Sequence, residues 1–87
     1  GQQVLPVDFS TFVLSLSSSA MVHFGQIPDP ASQRKRKNLA AARQTIEIIA
    51  MLQEKTRGNL EEHEQRLVDN VLYELRMRYV SEVEGKG

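Results

Sequence analysis

The 87-residue sequence has no cysteine, and its charges of opposite sign cancel. Without cysteine the chain forms no disulfide, holds no metal through a thiolate and has no thiol nucleophile. Eleven Lys and Arg residues balance eleven Asp and Glu residues. No overall charge therefore draws the chain to nucleic acid or to an anionic membrane surface.

Charge is also missing from one whole segment, which runs from Phe9 to Pro28. Half of its 20 residues are polar, Gly or Pro. A membrane-spanning helix needs about 20 predominantly apolar residues, so we expect no membrane span. Six of the residues carry hydroxyls, and a hydroxyl can bond the carbonyl one turn back. Because Ser is also short, we interpret this segment as a helix packed on more than one side, away from water.

Gly and Pro punctuate the chain into three helical segments within one small domain. The "GQIPDPAS" segment is a connector, and the "QRKRK" segment after it is predicted to be a loop. The predicted divisions are an extended lead over 1–7, a helical domain over 8–83 with helices at about 9–24, 38–56 and 60–82, and a frayed tail over 84–87.

Helix-boundary signals lie at the ends of these segments. Asp8 and Asn38 are predicted N-caps of the first and second helices. Gly58 is placed to end the second helix in a left-handed conformation. Asn59 and Glu62, in "NLEE", have the spacing of a capping box for the third helix.

Apolar residues recur at helical spacing along each segment. The predicted core residues are Phe9, Phe12, Val13, Leu16, Ala20 and Phe24, then Leu39, Ala42, Ile46, Ile49 and Ala50 with a wider arc of Ala41, Thr45, Ile48 and Leu52, then Leu60, Leu67, Val68, Val71, Leu72, Leu75 and Tyr79. We therefore predict an all-α fold of three helices. Helices two and three form an antiparallel hairpin, helix one packs across them, and dimerisation completes the structure.

Further apolar residues lie outside these arcs, and a closed monomer of this size would expose them. The candidate protein interface consists of Leu14, Ser18, Met21 and Val22 on the first helix and Tyr73, Met77 and Val80 on the third. Isolated exposed apolar residues are also normal on a monomer. Our preferred interpretation is a non-enzymatic module that forms a homodimer or binds an unidentified protein partner.

The run Arg34, Lys35, Arg36 and Lys37, with Arg43, supports an alternative function. These side chains could contact phosphates, which would make the protein an accessory of nucleic acid. No aromatic residue lies among them for base stacking, and a solvated loop is the default interpretation.

Catalytic, metal and cofactor sites are not predicted. Ser19 and His23 are four residues apart, but the sequence has no G-x-S-x-G turn. An enzyme built around His23 at a dimer seam is therefore the third-ranked alternative. His63 lies among acidic residues, yet Leu60 stands where a Glu-x-x-His metal motif needs Glu.

Four blocks of sequence, in order, carry a resemblance to a known family. They are "DFSTFVLSLSSSAMVHFG", "IPDP", "QTIEIIAMLQEKTRGNL" and "LYELRMRYV". Together they resemble a small bacterial family catalogued as domain of unknown function 1844. The resemblance implies a small, mostly helical bacterial protein of the cytoplasm, and it implies no activity, substrate or cofactor.

Overall fold

Three α-helices make up the structure, a computed structural model that describes residues 7–85. They are α1 (Phe9–His23), α2 (Leu39–Lys55) and α3 (Glu62–Val83). Each helix packs against the other two, and no strand occurs within the described range. The all-α, three-helix prediction is confirmed. The expected extended lead, apart from Val7, and the tail beyond Gly85 lie outside the described residues.

The helix α1 begins at the predicted N-cap and is followed by a glycine in the left-handed conformation. The Asp8 carboxylate accepts a hydrogen bond from the Thr11 backbone N–H at 2.7 Å, and this bond lowers the pKa of Asp8 below its usual range. At the other end Gly25 adopts φ +79°, and its N–H donates to the Val22 carbonyl. A residue in the left-handed conformation ends the helix, and Gly adopts this conformation without strain because it has no Cβ.

The start of α2 is also confirmed, because the Asn38 side chain accepts a hydrogen bond from the Ala41 N–H at 3.1 Å. Gly58, with φ +84°, lies in the turn that follows this helix.

The predicted capping box of α3 is wrong by two residues. Asn59 belongs to the preceding turn, where its N–H donates to the Thr56 carbonyl. The observed capping box joins Glu61 and Glu64, whose side chains each accept a hydrogen bond from the other residue's backbone N–H. Positions 61–64 contain three Glu residues and a His, so the sequence spacing alone permits more than one capping box.

The core lies where the three helices meet. Its buried apolar residues are Val13, Ala20, Phe24, Ala42, Ile46, Ile49, Val68, Leu72 and Leu75. Ile48 was predicted to join them, yet 37% of its surface is exposed, and so is half of the surface of Phe12, which was also predicted. Phe12 lies at the edge of the α1 arc, and Val13 and Phe24 occupy the interior side instead.

The hydroxyl-bearing side of α1 faces solvent in the single chain. Ser15, Ser18 and Ser19 are all exposed, although α1 packs against both other helices. Our interpretation that the serines lie away from water is therefore wrong for one isolated subunit. The expected back-bonding does occur in α1 at Ser15, whose hydroxyl donates to the Phe12 carbonyl at 2.7 Å, and also in α2, where the buried Thr45 hydroxyl donates to the Ala41 carbonyl at 3.1 Å.

Candidate interaction surfaces

A row of large apolar side chains lies on the outer side of α3. Tyr73, Met77 and Val80 are exposed by 63%, 52% and 48%, respectively. The opposite side of the same helix buries Val68 and Leu72 in the core. We call the three exposed residues the α3 crest, because grooves lie on both sides of it.

The first groove lies between α1 and α3 and has a volume of about 390 Å³. We call it the α1–α3 groove, and it is lined by Ser17, Met21, Glu74, Leu75, Met77, Arg78 and Ser81. It brings together Met21 and Met77, two of the residues predicted for the interface. Methionine side chains adapt to varied partners, so two of them suit a contact surface.

The second groove lies between α2 and α3, on the other side of the crest. Val80 contributes to it together with Arg76 on α3, and Arg43 and Glu47 on α2. The crest therefore combines an apolar centre with two depressions, each bordered by charged side chains. This shape and polarity are those of an interface with an apolar core and a polar rim.

The remaining predicted interface residues form a separate surface on the outer side of α1. Leu14 and Ser18 line one shallow depression, while Ser18 and Val22 line the next one along the helix with Ile27 of the connector. The seven predicted residues thus fall into two groups. Met21 lies with the α3 crest, and Leu14, Ser18 and Val22 lie on the α1 outer surface.

The charges beside the crest are incompletely neutralised within the chain. Glu74 forms no ion pair within residues 7–85, although it is an exposed carboxylate beside Met77. Arg78 Nη1 lies 3.8 Å from Glu82 Oε2, a distance too long for a good hydrogen bond. Both side chains therefore retain capacity to bind a further partner.

One residue of the basic run forms an ion pair with a buried carboxylate, which the sequence did not reveal. Lys37 Nζ lies 2.6 Å from Glu82 Oε1. The Glu82 side chain is only 1% exposed, whereas the Lys37 side chain is 55% exposed. Neither carboxylate oxygen receives an aligned hydrogen bond from the described part of the chain, so the contact is chiefly one of charge. Lys37 thereby neutralises an anion that would otherwise be buried, at great cost, with only the more distant Arg78 beside it.

The other predicted phosphate contacts differ in their surroundings. Arg43 lies 4.0 Å from Glu47 in a solvent-exposed pair on α2. Arg34, Lys35 and Arg36 are exposed, and no ion pair engages them within the described range. Of the five predicted contacts, these three remain without a carboxylate beside them.

The connector that carries the basic run is held by backbone hydrogen bonds. The Asp29 N–H donates to the Arg34 carbonyl at 2.9 Å, and the Gln33 N–H donates to the Asp29 carbonyl at 2.6 Å. At its end the Asn38 N–H donates to the His23 carbonyl at 2.7 Å. The segment is a loop, as predicted, and these bonds fix both its internal fold and its exit.

Glu82 is the residue that sequence reasoning missed. It lies three residues after Tyr79 and seven after Leu75, so it continues the apolar arc of α3. An acidic residue in register with a core arc signals a buried charge that needs a cation, and this signal was present in the sequence.

The serine, histidine and aspartate considered for catalysis share one depression but do not form a relay. Ser19, His23 and Asp29 all line it, and no hydrogen bond joins any two of them within residues 7–85. The Asp29 carboxylate instead accepts a hydrogen bond from the Ala31 N–H at 2.7 Å. A catalytic triad requires a continuous hydrogen-bonded series, which this arrangement lacks.

The described part of the chain contains no group of three or more His, Asp or Glu side chains that could hold a metal ion. His63 Nδ1 lies 3.4 Å from Glu61 Oε2. Over the same range no helix combines the length and apolar character needed to cross a membrane.

A sequence comparison assigns the chain to a family. The family described as "Domain of unknown function (DUF1844)" matches residues 6–81, which include all of α1 and α2 and most of α3. No curated protein and no solved structure matches the chain. The family description states no activity and no ligand. Because the match covers well over half of its length, the chain belongs to the DUF1844 family.

Proposed function

We propose that the protein is a non-enzymatic helical module that associates with a second copy of itself. The α3 crest carries this proposal, because its three large apolar side chains are exposed in a row beside a groove. Contiguous exposed apolar surface generally marks an interface. An uninterrupted row along one helix is a more specific feature than single apolar residues spread over a surface.

The electrostatics support association rather than catalysis. The buried carboxylate of Glu82 is already neutralised by Lys37, and the Ser19, His23 and Asp29 side chains are not hydrogen-bonded together. Catalytic groups generally combine a perturbed acid or base with an oriented partner in a cleft. We place this module in the bacterial cytoplasm, following the resemblance of the sequence.

The same proposal includes an antiparallel hairpin of α2 and α3. Gln53 Nε2, near the end of α2, donates to Asp69 Oδ1 in the second turn of α3 at 2.8 Å. Only residues 56–61 connect the two helices. A short connection between neighbouring packed helices favours an antiparallel course.

Light scattering coupled to size exclusion, at two protein concentrations and two ionic strengths, tests self-association. We expect a particle of twice the 9.9 kDa chain mass at high micromolar concentration. Met77→Ser should shift it towards monomer, because it removes the centre of the crest. Met51→Ser is the matched control, since Met51 on α2 is exposed to a similar degree. A wild-type monomer at that concentration would contradict the proposal.

Nucleic-acid binding is the second candidate, favoured by the exposure of Arg34, Lys35 and Arg36 in one loop. Three phosphate contacts would give a slope of roughly −2 to −3 in a plot of log affinity against log salt. Fluorescence anisotropy with labelled RNA and DNA measures this slope. Binding that is absent, or that does not change with salt, excludes the phosphate model.

A further inference from the structure

We propose that the partner's α3 crosses this α3 in antiparallel fashion, about a two-fold axis that passes beside Met77. Tyr73 then packs against Val80 of the partner subunit, and Glu74 pairs with the partner subunit's Arg78. This inference rests on the proposed self-association and adds its geometry and its charge contacts.

The positions of the three crest residues define the axis; Val83, which is also exposed on α3, is not part of the crest. In a two-fold antiparallel crossing, a residue on one side of the axis meets a residue equally far on the other side in the second copy. Tyr73 and Val80 lie equally far from a point between residues 76 and 77. Met77 is then almost on the axis and meets Met77 of the partner subunit. All three residues of the crest are thus buried by one crossing.

The charges define the same axis independently. Glu74 and Arg78 lie equally far from residue 76, within one residue of the centre given by the crest. Both line the α1–α3 groove, so they lie on the same side of the crest. The two-fold operation therefore brings each Glu74 to the partner subunit's Arg78 and forms two equivalent ion pairs.

The ion pairs within the chain leave Glu74 and Arg78 able to bind a charged side chain of a second copy. Glu74 forms no ion pair in the described range, although Arg78 lies one helical turn away along the same groove. Arg78 approaches Glu82 only to 3.8 Å, and Lys37 already lies 2.6 Å from that carboxylate. A guanidinium has five N–H donors, so Arg78 can bind a second carboxylate in addition.

A parallel pairing would use the same charges differently and would leave Arg78 without a carboxylate of the partner's α3 across the interface. About a parallel two-fold axis, opposite sides of the two crests meet, so Glu74 and Arg78 both face the side of the partner that carries Arg76. Like charges in contact across an interface are costly. The antiparallel crossing has such contacts too, because its centre relates Asp69 to the partner subunit's Glu84 and brings the two copies of Arg76 together. The Arg76 contact falls on the side of the α2–α3 groove, where Glu47 also lies.

Charge reversal tests the ion pair. We expect Glu74→Arg to raise the dissociation constant of the dimer at least about 10-fold, because each Arg78 then faces a cation in place of a carboxylate. The double variant Glu74→Arg with Arg78→Glu should return to within about 3-fold of wild type. Glu54→Arg, which makes the same change on an exposed residue of α2, is the matched control and should leave dimerisation unchanged.

An unchanged dissociation constant for Glu74→Arg would overturn the pairing. So would a double variant as weak as the single one, provided that its thermal unfolding shows an intact fold. Arg78→Glu adds a negative charge near the buried Glu82. If this charge unfolds the double variant, the single Glu74→Arg variant still tests the pairing, because it does not change the surroundings of Glu82.

Disulfide trapping tests the direction, since the chain contains no cysteine of its own. Met77→Cys should form covalent dimers readily. Val80→Cys should not, because an antiparallel crossing separates its two copies by about 10 Å along the helix. A disulfide needs Cα atoms within about 7 Å. Mixing Tyr73→Cys with Val80→Cys should instead trap the mixed dimer.

The outcomes separate this inference from the proposed function. A wild-type chain that stays monomeric contradicts self-association itself. A dimer in which Val80→Cys crosslinks to itself as readily as Met77→Cys shows parallel pairing. A dimer that neither Met77→Cys nor the Tyr73→Cys and Val80→Cys mixture traps associates through another surface. In these last two cases self-association stands and only the crossing geometry is overturned.

Discussion

Leu72 and Tyr73 are neighbours in the sequence, yet α3 buries all but 1% of the first and exposes most of the second. Successive residues of an α-helix point about 100° apart, so a single step separates the core side from the outer side. The core side makes the subunit fold. The outer side carries residues that are just as large and apolar but are not buried in the core of the isolated subunit. The contrast teaches that hydrophobicity alone does not distinguish a folding residue from an association residue.

The largest effect should come from the buried member of this pair. Leu72→Ala should lower the free energy of unfolding by about 2–5 kcal/mol, because it removes buried methyl groups and leaves a cavity. Urea denaturation followed by circular dichroism measures the loss. A loss below about 1 kcal/mol would contradict the placement of Leu72 in the core.

An intermediate effect should follow from breaking the buried ion pair, and the basic run supplies its own control. Lys37→Met should cost about 2 kcal/mol of unfolding free energy, because Glu82 then stays buried with only the more distant Arg78 beside it. Lys35→Met makes the same change on an exposed side chain and should stay within about 0.5 kcal/mol of wild type. Equal losses for the two variants in urea denaturation would contradict a structural role for Lys37.

The smallest effect on the subunit should come from the exposed member of the pair. Tyr73→Ser should change the unfolding free energy by no more than about 0.5 kcal/mol under conditions that keep the protein monomeric. At concentrations that give dimers, it should weaken association, as sedimentation velocity would show. A large loss of unfolding free energy in the monomeric variant would show that Tyr73 stabilises the core, and would contradict the distinction between Tyr73 and Leu72.

Most of the architecture followed from local patterns. The three helices, the N-caps at Asp8 and Asn38 and the membership of most of the core depend on short-range spacing, which a sequence displays directly. Phe12 was misassigned because it lies at the edge of its arc, where only the packing of neighbouring helices decides which side chain points inwards.

The candidate site was less predictable because it depends on contacts between distant segments. The ion pair of Lys37 with Glu82 joins residues 45 positions apart, and nothing in the local charge run distinguishes Lys37 from its neighbours. The predicted interface likewise separated into two surfaces, since sequence periodicity gives the side of each helix but not the rotation of one helix against another.

The connector between α1 and α2 leaves the bundle and returns to almost the same point. The backbone of Lys37 passes directly beside Gly25, where a Cβ atom would lie 3.5 Å from the Lys37 nitrogen, and Asn38 bonds back to His23. Because the two ends already touch, the length of chain between them is not set by the distance it must bridge. Doubling such a loop adds only about 0.6 kcal/mol of closure entropy. The stretch around Lys35 is thus a natural place to graft a reporter peptide without disturbing any helix.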